Sequence, residues 1–265
     1  MSLGVVLAHA APLLALYLAL GWLLSVRLRD VSIVDVMWGP GFAIVAAVGA
    51  GLGSGDPARK LLVLLLVGLW GLRLAGHIFV RNPPRHGGQG EDYRYRAMRE
   101  RQGPRFVWLS AFTVFGLQGV LLLFIAMPLA AATALPGAAG LGYFDLAGVA
   151  LFLVGFLFEA VGDAQLARFK ADPGNRGRVC DAGLWRYSRH PNYFGDALLW
   201  WGFFLLACAV PGGWRTIASP IVMTVLLLKV SGVALLERGL AATKPGYADY
   251  VARTSAFVPW FPRSR

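Results

Sequence analysis

The sequence predicts an all-α polytopic membrane protein of about seven transmembrane helices, and three observations carry that prediction. Hydrophobic residues make up 57% of the 265-residue chain and charged residues 15%, with a mean hydropathy of +0.59, a composition unlike that of soluble domains. Apolar runs of bilayer-crossing length, roughly 17–25 residues, recur near 5–26, 31–51, 60–80, 106–135, 144–166, 194–211 and 217–237. The cations between them alternate from loop to loop, as they do in chains oriented by an inside excess of Lys and Arg.

The first run lacks a positively charged start and flows into more membrane sequence, so it reads as a retained helix and not as a cleaved signal. The second contains Asp35 and the pair Gly39-Pro40. The glycine-rich stretch Gly49 to Gly55 that follows is no dinucleotide fingerprint, because it follows a helix and not a strand; it reads as a flexible turn. The fourth run is overlong, and Pro128 is expected to kink it. The sixth opens on Pro191, which can start a helix because its missing N–H would be an orphan there. Asn192 and Asp196 then lie one turn apart on a shared face.

Charge fixes the expected orientation. Arg27 and Arg29 follow the first run, Arg81, Arg85, Arg94, Arg96, Arg99, Arg101 and Arg105 the third, and Arg168, Lys170, Arg176, Arg178, Arg186 and Arg189 the fifth. Arg238, Lys244, Arg253, Arg263 and Arg265 lie in the tail, whereas the alternate loops hold only Arg59, Lys60 and Arg215. Seven spans with the N-terminus outside and the C-terminus in the cytoplasm satisfy every loop. The net charge of +11 is thus split among membrane-tethered loops, which favours topology signals plus an anion site over nucleic acid. Cys180 and Cys208 support neither a disulfide framework nor a metal site. Residues 1–265 read as one integral membrane domain, with 1–135 as the lipid-substrate half and 136–265 as the cofactor half.

Asp35, Arg73, His77, Glu159, Asp163, Lys229 and Glu237 fall within or at the edges of the apolar runs. A charge at mid-bilayer costs about 2.5–3.5 kcal/mol on insertion scales, so such groups pair, become neutral or line a hydrated cavity. Arg73 and His77 share a face, as do Glu159 and Asp163. The two carboxylates need donors from elsewhere, either protein cations or a ligand. The cations of 167–193 suit a phosphorylated ligand, while Glu159, Asp163, Asn192 and Asp196 suit ribose or amide groups. Together they match a dinucleotide. Tyr247 and Tyr250 are three apart on one helix side, and Trp260 and Phe261 read as interfacial anchors.

The block Arg189-His190-Pro191-Asn192-Tyr193-Phe194-Gly195 resembles the C-terminal signature shared by steroid 5-alpha-reductase-like membrane proteins, sterol reductases and isoprenylcysteine or phospholipid methyltransferases. Narrower matches are Ser32 to Gly39, Gly90-Glu91-Asp92-Tyr93-Arg94-Tyr95, and Ser231-Gly232 through Tyr247, Tyr250 and Arg253 to Trp260. Nearly the whole chain is similar to the bacterial steroid 5-alpha-reductase-like branch. The resemblance implies a seven-helix reductase of the bacterial inner membrane with NADPH held in a cytosol-facing cavity. By motif position it implies Asn192 and Asp196 as the family's Asn-x-x-x-Glu cofactor pair, with Asp in place of Glu. It likewise points to Asp163, to Glu159 where steroid enzymes carry Asn, and to Lys170 near a phosphate-contacting Arg. Arg168, Arg178, Arg189, His190, Tyr193, Glu237, Tyr247, Tyr250 and Arg253 complete the expected cofactor set. The catalytic Gln-Glu pair of steroid enzymes has no match in the second run, where Asp35 is the nearest acid.

The expected chemistry is NADPH-dependent saturation of a conjugated carbon–carbon double bond in a lipid. Developing enolate charge needs an acid, and Asp35, held neutral by apolar surroundings, is the expected donor, with Tyr93 or His77 as alternatives. A structural pairing of Asp35 with Arg73 is the competing account. The rival functions are an S-adenosylmethionine-dependent methyltransferase, whose cofactor carries no phosphate, and a transporter, in which paired carboxylates mark an ion path. A lipid substrate and the membrane are the expected partners, nucleic acid is not, and the oligomeric state is left open.

Overall fold

The computed structural model describes residues 2–83, 90–230 and 233–263, with the side chains of Ala234, Leu235, Arg238, Ala241 and Ala242 outside that description. Arg85, Arg265 and the pair Ser231-Gly232, singled out above, lie outside the described residues, as does the side chain of Arg238. All regular structure among the described residues is helical, and the chain divides into two compact units, residues 1–142 with 206–216 and residues 143–205 with 217–265. The return of 206–216 to the first unit is not visible in a linear reading of the chain.

The first unit contains α1 (Leu3–Leu28), α2 (Ile33–Val36), α3 (Trp38–Leu52), α4 (Pro57–Arg81), α5 (Tyr93–Gln102), α6 (Phe106–Ser110), α7 (Leu117–Ile125) and α8 (Met127–Ala134). Local chemistry sets the boundaries. Asp56 accepts from the Ala58 and Arg59 backbone N–H groups while Pro57 opens α4, satisfying N-terminal donors that would otherwise be orphans. Asp92 caps α5 in the same way. A helical rod therefore runs from Tyr93 to Ile125 through a 3₁₀ turn at Gly103–Arg105 and a π-helical turn at Ala111–Gly116, where the sequence predicts a charged loop up to residue 105. Pro128 does not kink this rod. The helix restarts at Met127, with Pro128 in the first turn of α8, where a missing N–H costs nothing.

The glycine run also departs in part from expectation. Gly49 lies within α3, and a side chain there would collide with Thr133; one at Gly53 would collide with Ala134, and one at Gly55 with the Thr133 carbonyl. These glycines permit close backbone approach. The end of the run is the expected turn between α3 and α4, but a close-packed one.

The second unit contains α9 (Tyr143–Ala171), α10 (Pro191–Cys208, whose last turn belongs to the first unit), α11 (Ala218–Val225), α12 (Val233–Thr243) and α13 (Tyr247–Arg253). Five helical segments are long and apolar enough to cross a membrane: Leu3–Leu28, Pro57–Arg81, Tyr93–Ile125, Tyr143–Ala171 and Gly213–Val230. The expected second span is shortened because the chain restarts at Met37, leaving the 15 residues of α3, about 22 Å of helix against roughly 30 Å of hydrocarbon. The last apolar segment ends at Val230, which places Glu237 beyond it on α12.

Candidate functional site

The second unit brings four of the expected polar residues to one helix interface, and glycine is what permits it. Gly148, Gly155 and Gly162 recur every seven residues on α9, and Gly195 and Gly202 keep the same interval on α10. A methyl group added at Gly155 would lie 2.5 Å from the Leu199 nitrogen and 2.6 Å from the Gly195 carbonyl oxygen. One at Gly202 would lie 2.8 Å from the Gly148 carbonyl oxygen, and one at Gly195 would collide with the backbone of Gly155 and Glu159. Small residues at such spacing let membrane helices touch backbone to backbone. Glu159 (3% exposed) and Asp163 (5%) are buried along the α9 side of this seam, and Asn192 and Asp196 share the α10 side.

The Asn192 Nδ2 donates to Asp163 Oδ1 at 2.9 Å. Because a carboxylate only accepts, that bond fixes the orientation of the Asn192 amide. Its Oδ1, buried, has no hydrogen-bond partner among the described residues. A buried acceptor in that state is costly, and a ligand N–H is a chemically suitable partner. The residues fit a carboxamide-bearing cofactor on this observation.

The loop before α10 is built differently. Arg189 sends Nε to Glu237 Oε1 at 2.7 Å and Nη1 to the carbonyls of Thr254 at 2.7 Å and Val251 at 3.2 Å. It therefore caps the C-terminal end of α13 with positive charge, and its guanidinium is committed to the protein. His190 Nε2 lies 3.2 Å from the same Glu237 oxygen, and its ring stacks on Tyr193 with centroids 5.8 Å apart. Burial lowers the His190 pKa and outweighs the nearby Glu237 carboxylate, so the imidazole is neutral at pH 7. For Glu237, burial acts upward, but the Arg189 hydrogen bond and charge prevail and hold it below the usual glutamate value. Tyr250 donates its hydroxyl to the Trp185 carbonyl. The Tyr247 hydroxyl is buried beside Arg189 and Glu237 without a well-formed partner among the described residues, and burial pushes its pKa up to about 12.

The remaining cations form an exposed fringe. Arg168, Lys170 and Arg178 are solvent-facing, while Arg253 pairs with Asp181. Among the described residues no cluster of His, Cys, Asp and Glu has the makings of a metal site.

The first unit holds a second polar group. Asp35 accepts from Arg94 Nη2 at 2.9 Å and from the Tyr95 hydroxyl at 2.7 Å. Its ion-pair partner is thus Arg94 and not Arg73, because α5 turns its first residues towards α2. Gln118 Nε2 donates to the Tyr95 oxygen at 3.2 Å, and the Trp38 indole N–H donates to Gln118 Oε1. An indole nitrogen can only donate, so Trp38 sets the Gln118 amide and Gln118 in turn leaves Tyr95 its proton for Asp35. Asp35 accepts both donated bonds, and the Tyr95 hydroxyl proton lies on the contact between the two residues. Tyr93, 60% exposed, points away from burial, and His77 lies half-buried on α4 beside Arg73's face.

A further clasp braces this group. Glu91, buried, takes both Arg99 Nε at 2.9 Å and Nη2 at 2.7 Å and also accepts from the Val31 backbone N–H at 3.0 Å. The Asp92 N–H donates to Ser32 Oγ at 2.6 Å. Sequence reading missed Tyr95, Gln118 and this clasp as working parts. The signals for them were the Glu91 to Tyr95 stretch of the matched motif and polar Gln118 in a mostly apolar run.

Comparison with known proteins agrees in extent with this whole-chain organisation. An uncharacterized protein of Schizosaccharomyces pombe is 28% identical over 207 residues, which cover 69% of this chain and 59% of the yeast protein. The chain thus spans less than two thirds of that relative's length. No solved structure matches it. A family model described as "Protein of unknown function (DUF1295)" matches residues 21–254, which include every residue of the two polar groups above. The chain is therefore a polytopic membrane protein that belongs to the DUF1295 family.

Proposed function

We propose that this chain is a membrane-embedded, NADPH-dependent reductase that saturates a conjugated double bond in a lipid. The observation that carries the reading is the Asn192–Asp163 bond across the glycine seam, which leaves a buried amide oxygen without a partner among the described residues. Asn192, with Asp163 orienting it, would hold the carboxamide or an equivalent N–H group, with Glu159 and Asp196 buried along the same seam. Arg168, Lys170 and Arg178 are the solvent-facing cations suited to phosphate groups. Arg189, His190, Glu237 and Tyr250 are positioning residues in this reading, because their polar atoms are engaged with the protein.

When bound, a reduced nicotinamide supplies hydride at the carbon beta to a carbonyl. In the first unit Tyr95 would be the proton donor to a lipid carbonyl oxygen as enolate charge develops, giving up its present bond to Asp35 to do so. Asp35 holds the tyrosine hydroxyl, and Arg94, bonded to Asp35 and lying 5.3 Å over the Tyr95 ring, supplies the positive charge beside it.

Purified protein titrated separately with NADPH, NADH and S-adenosylmethionine tests the cofactor, since a ligand that binds only the folded state raises the Tm. The expected result is stabilisation by NADPH above that by NADH, with none from S-adenosylmethionine. Protection by S-adenosylmethionine alone makes the protein a methyltransferase candidate and ends the reductase reading.

A further inference from the structure

The chain after α13 carries a feature that the cofactor reading does not use. Residues 254–263 form a strap without helix that is tied back along the loop before α10. The Arg189 N–H donates to the Ser255 carbonyl at 2.9 Å, Ser188 Oγ to the Phe257 carbonyl at 2.7 Å, the Trp260 N–H to the Tyr187 carbonyl at 2.9 Å, and the Arg263 N–H to the Arg253 carbonyl at 2.9 Å. Four ties over so short a segment give it a defined shape. They leave its large apolar side chains outside: Trp260 is 70% exposed and Phe261 76%. The two rings lie 6.5 Å apart, and Phe261 meets Tyr187 edge-on at 6.1 Å.

Next to these rings the strap and the end of α13 enclose an open pocket of about 400 Å³, lined by Arg189, Arg253, Thr254, Ser255, Trp260 and Arg263 among others. That volume is within the range of small-ligand sites, about 300–1,000 Å³. The three arginines are not equivalent. Arg189 is buried and turned to Glu237, and Arg253 pairs with Asp181. The Arg263 guanidinium is exposed and makes no ion pair among the described residues. It is the cation left to a ligand.

We infer that this pocket is a headgroup site for an anionic phospholipid, with Arg263 on the phosphodiester and Trp260 and Phe261 against the glycerol backbone and the start of the acyl chains. Guanidinium matches phosphate oxygens in a bidentate fork. The aromatic rim decides between a lipid and a free phosphate: a free anion would leave both rings in water, whereas a lipid covers them. Tryptophan with an apolar body and a polar edge favours the membrane–water interface. Basic residues there draw anionic lipid.

The test uses the full chain in mild detergent, with native mass spectrometry counting bound lipid during titration with short-chain phosphatidylglycerol, phosphatidylcholine or inorganic phosphate. The proposal expects saturable phosphatidylglycerol binding with little phosphatidylcholine binding. It also expects roughly tenfold weaker phosphatidylglycerol binding in Arg263→Gln, the order of loss for one charge-assisted contact, and a smaller loss in Trp260→Ala. Both side chains are exposed, so an unchanged Tm without lipid serves as the folding control. Equal binding of the two lipids, or unchanged affinity in both variants, overturns the proposal. Displacement of phosphatidylglycerol by equimolar inorganic phosphate also overturns it, because the site would then serve a free anion. Loss of NADPH binding elsewhere in the chain leaves these outcomes unaffected.

Discussion

The two polar groups of this protein are built on opposite plans. In the first unit Asp35, Tyr95, Gln118, Trp38 and Arg94 form a chain in which each donor meets an acceptor, and the Glu91–Arg99 clasp holds the segments that carry it. In the second unit the glycine seam presses Asn192 against Asp163 but leaves the Asn192 amide oxygen with no partner among the described residues. A satisfied network is rigid and sets a proton's direction. A seam with an orphan acceptor keeps an unused hydrogen-bonding site, at a cost in stability. In the proposed reading, the first group would act on the substrate and the second would hold the cofactor.

The largest effect is expected where the seam itself is broken. Gly195→Ala places a methyl group into the backbone of α9, and overpacking of this kind costs about 1–3 kcal/mol. Its Tm should fall accordingly, and the remaining folded protein should lose its NADPH response, because Asn192 and Asp163 separate. Arg189→Ala comes next. It strips the cap from α13 and leaves Glu237 without its principal partner, at about 2 kcal/mol, since Glu237 is partly hydrated. Thermal unfolding should show this loss while leaving the Asp35 group intact.

The pH response should follow the second unit. The folded-state pKa of His190 is depressed, so its contribution is complete above its ordinary value of 6.5 and is lost as pH falls towards the lower folded value. Glu237 is likewise depressed; its contribution is present above about 4.5 and disappears as pH drops through the folded value. Tm measured against pH should therefore decline in two steps on the acid side. His190→Gln should remove the upper one. The smallest effect belongs to Trp38→Phe, which deletes one neutral hydrogen bond at about 1 kcal/mol but frees the Gln118 amide to turn. If the Asp35 chain is merely structural, Trp38→Phe and Tyr95→Phe will alter stability alone. If Tyr95 is the proton donor, Tyr95→Phe will retain NADPH affinity while lipid reduction is lost.

Much of this architecture was legible in the sequence for one reason: apolar length and helical period are local properties. The helix start at Pro191, the shared face of Asn192 and Asp196, and the buried row of Glu159 and Asp163 all follow from spacing. The glycine interval of seven was equally present in the sequence, yet its meaning depends on two such rows meeting. Asp35 illustrates what spacing cannot supply. Its partners, Arg94 and Tyr95, lie about 60 residues away, and only the capping of α5 by Asp92 brings them to it. Glu91 reaches the Val31 N–H over a similar separation. Partners this distant carry no periodic signal, so Arg73 was as reasonable a match for Asp35 on sequence as Arg94.

Equilibrium binding of NADPH to three proteins, wild type, Asn192→Ala and Asp35→Asn, tests the division of labour most directly. The account predicts affinity weakened at least tenfold in Asn192→Ala, the loss of one buried ligand contact, and near wild-type affinity in Asp35→Asn. Full NADPH affinity in Asn192→Ala, or no NADPH binding by the wild type, would contradict it.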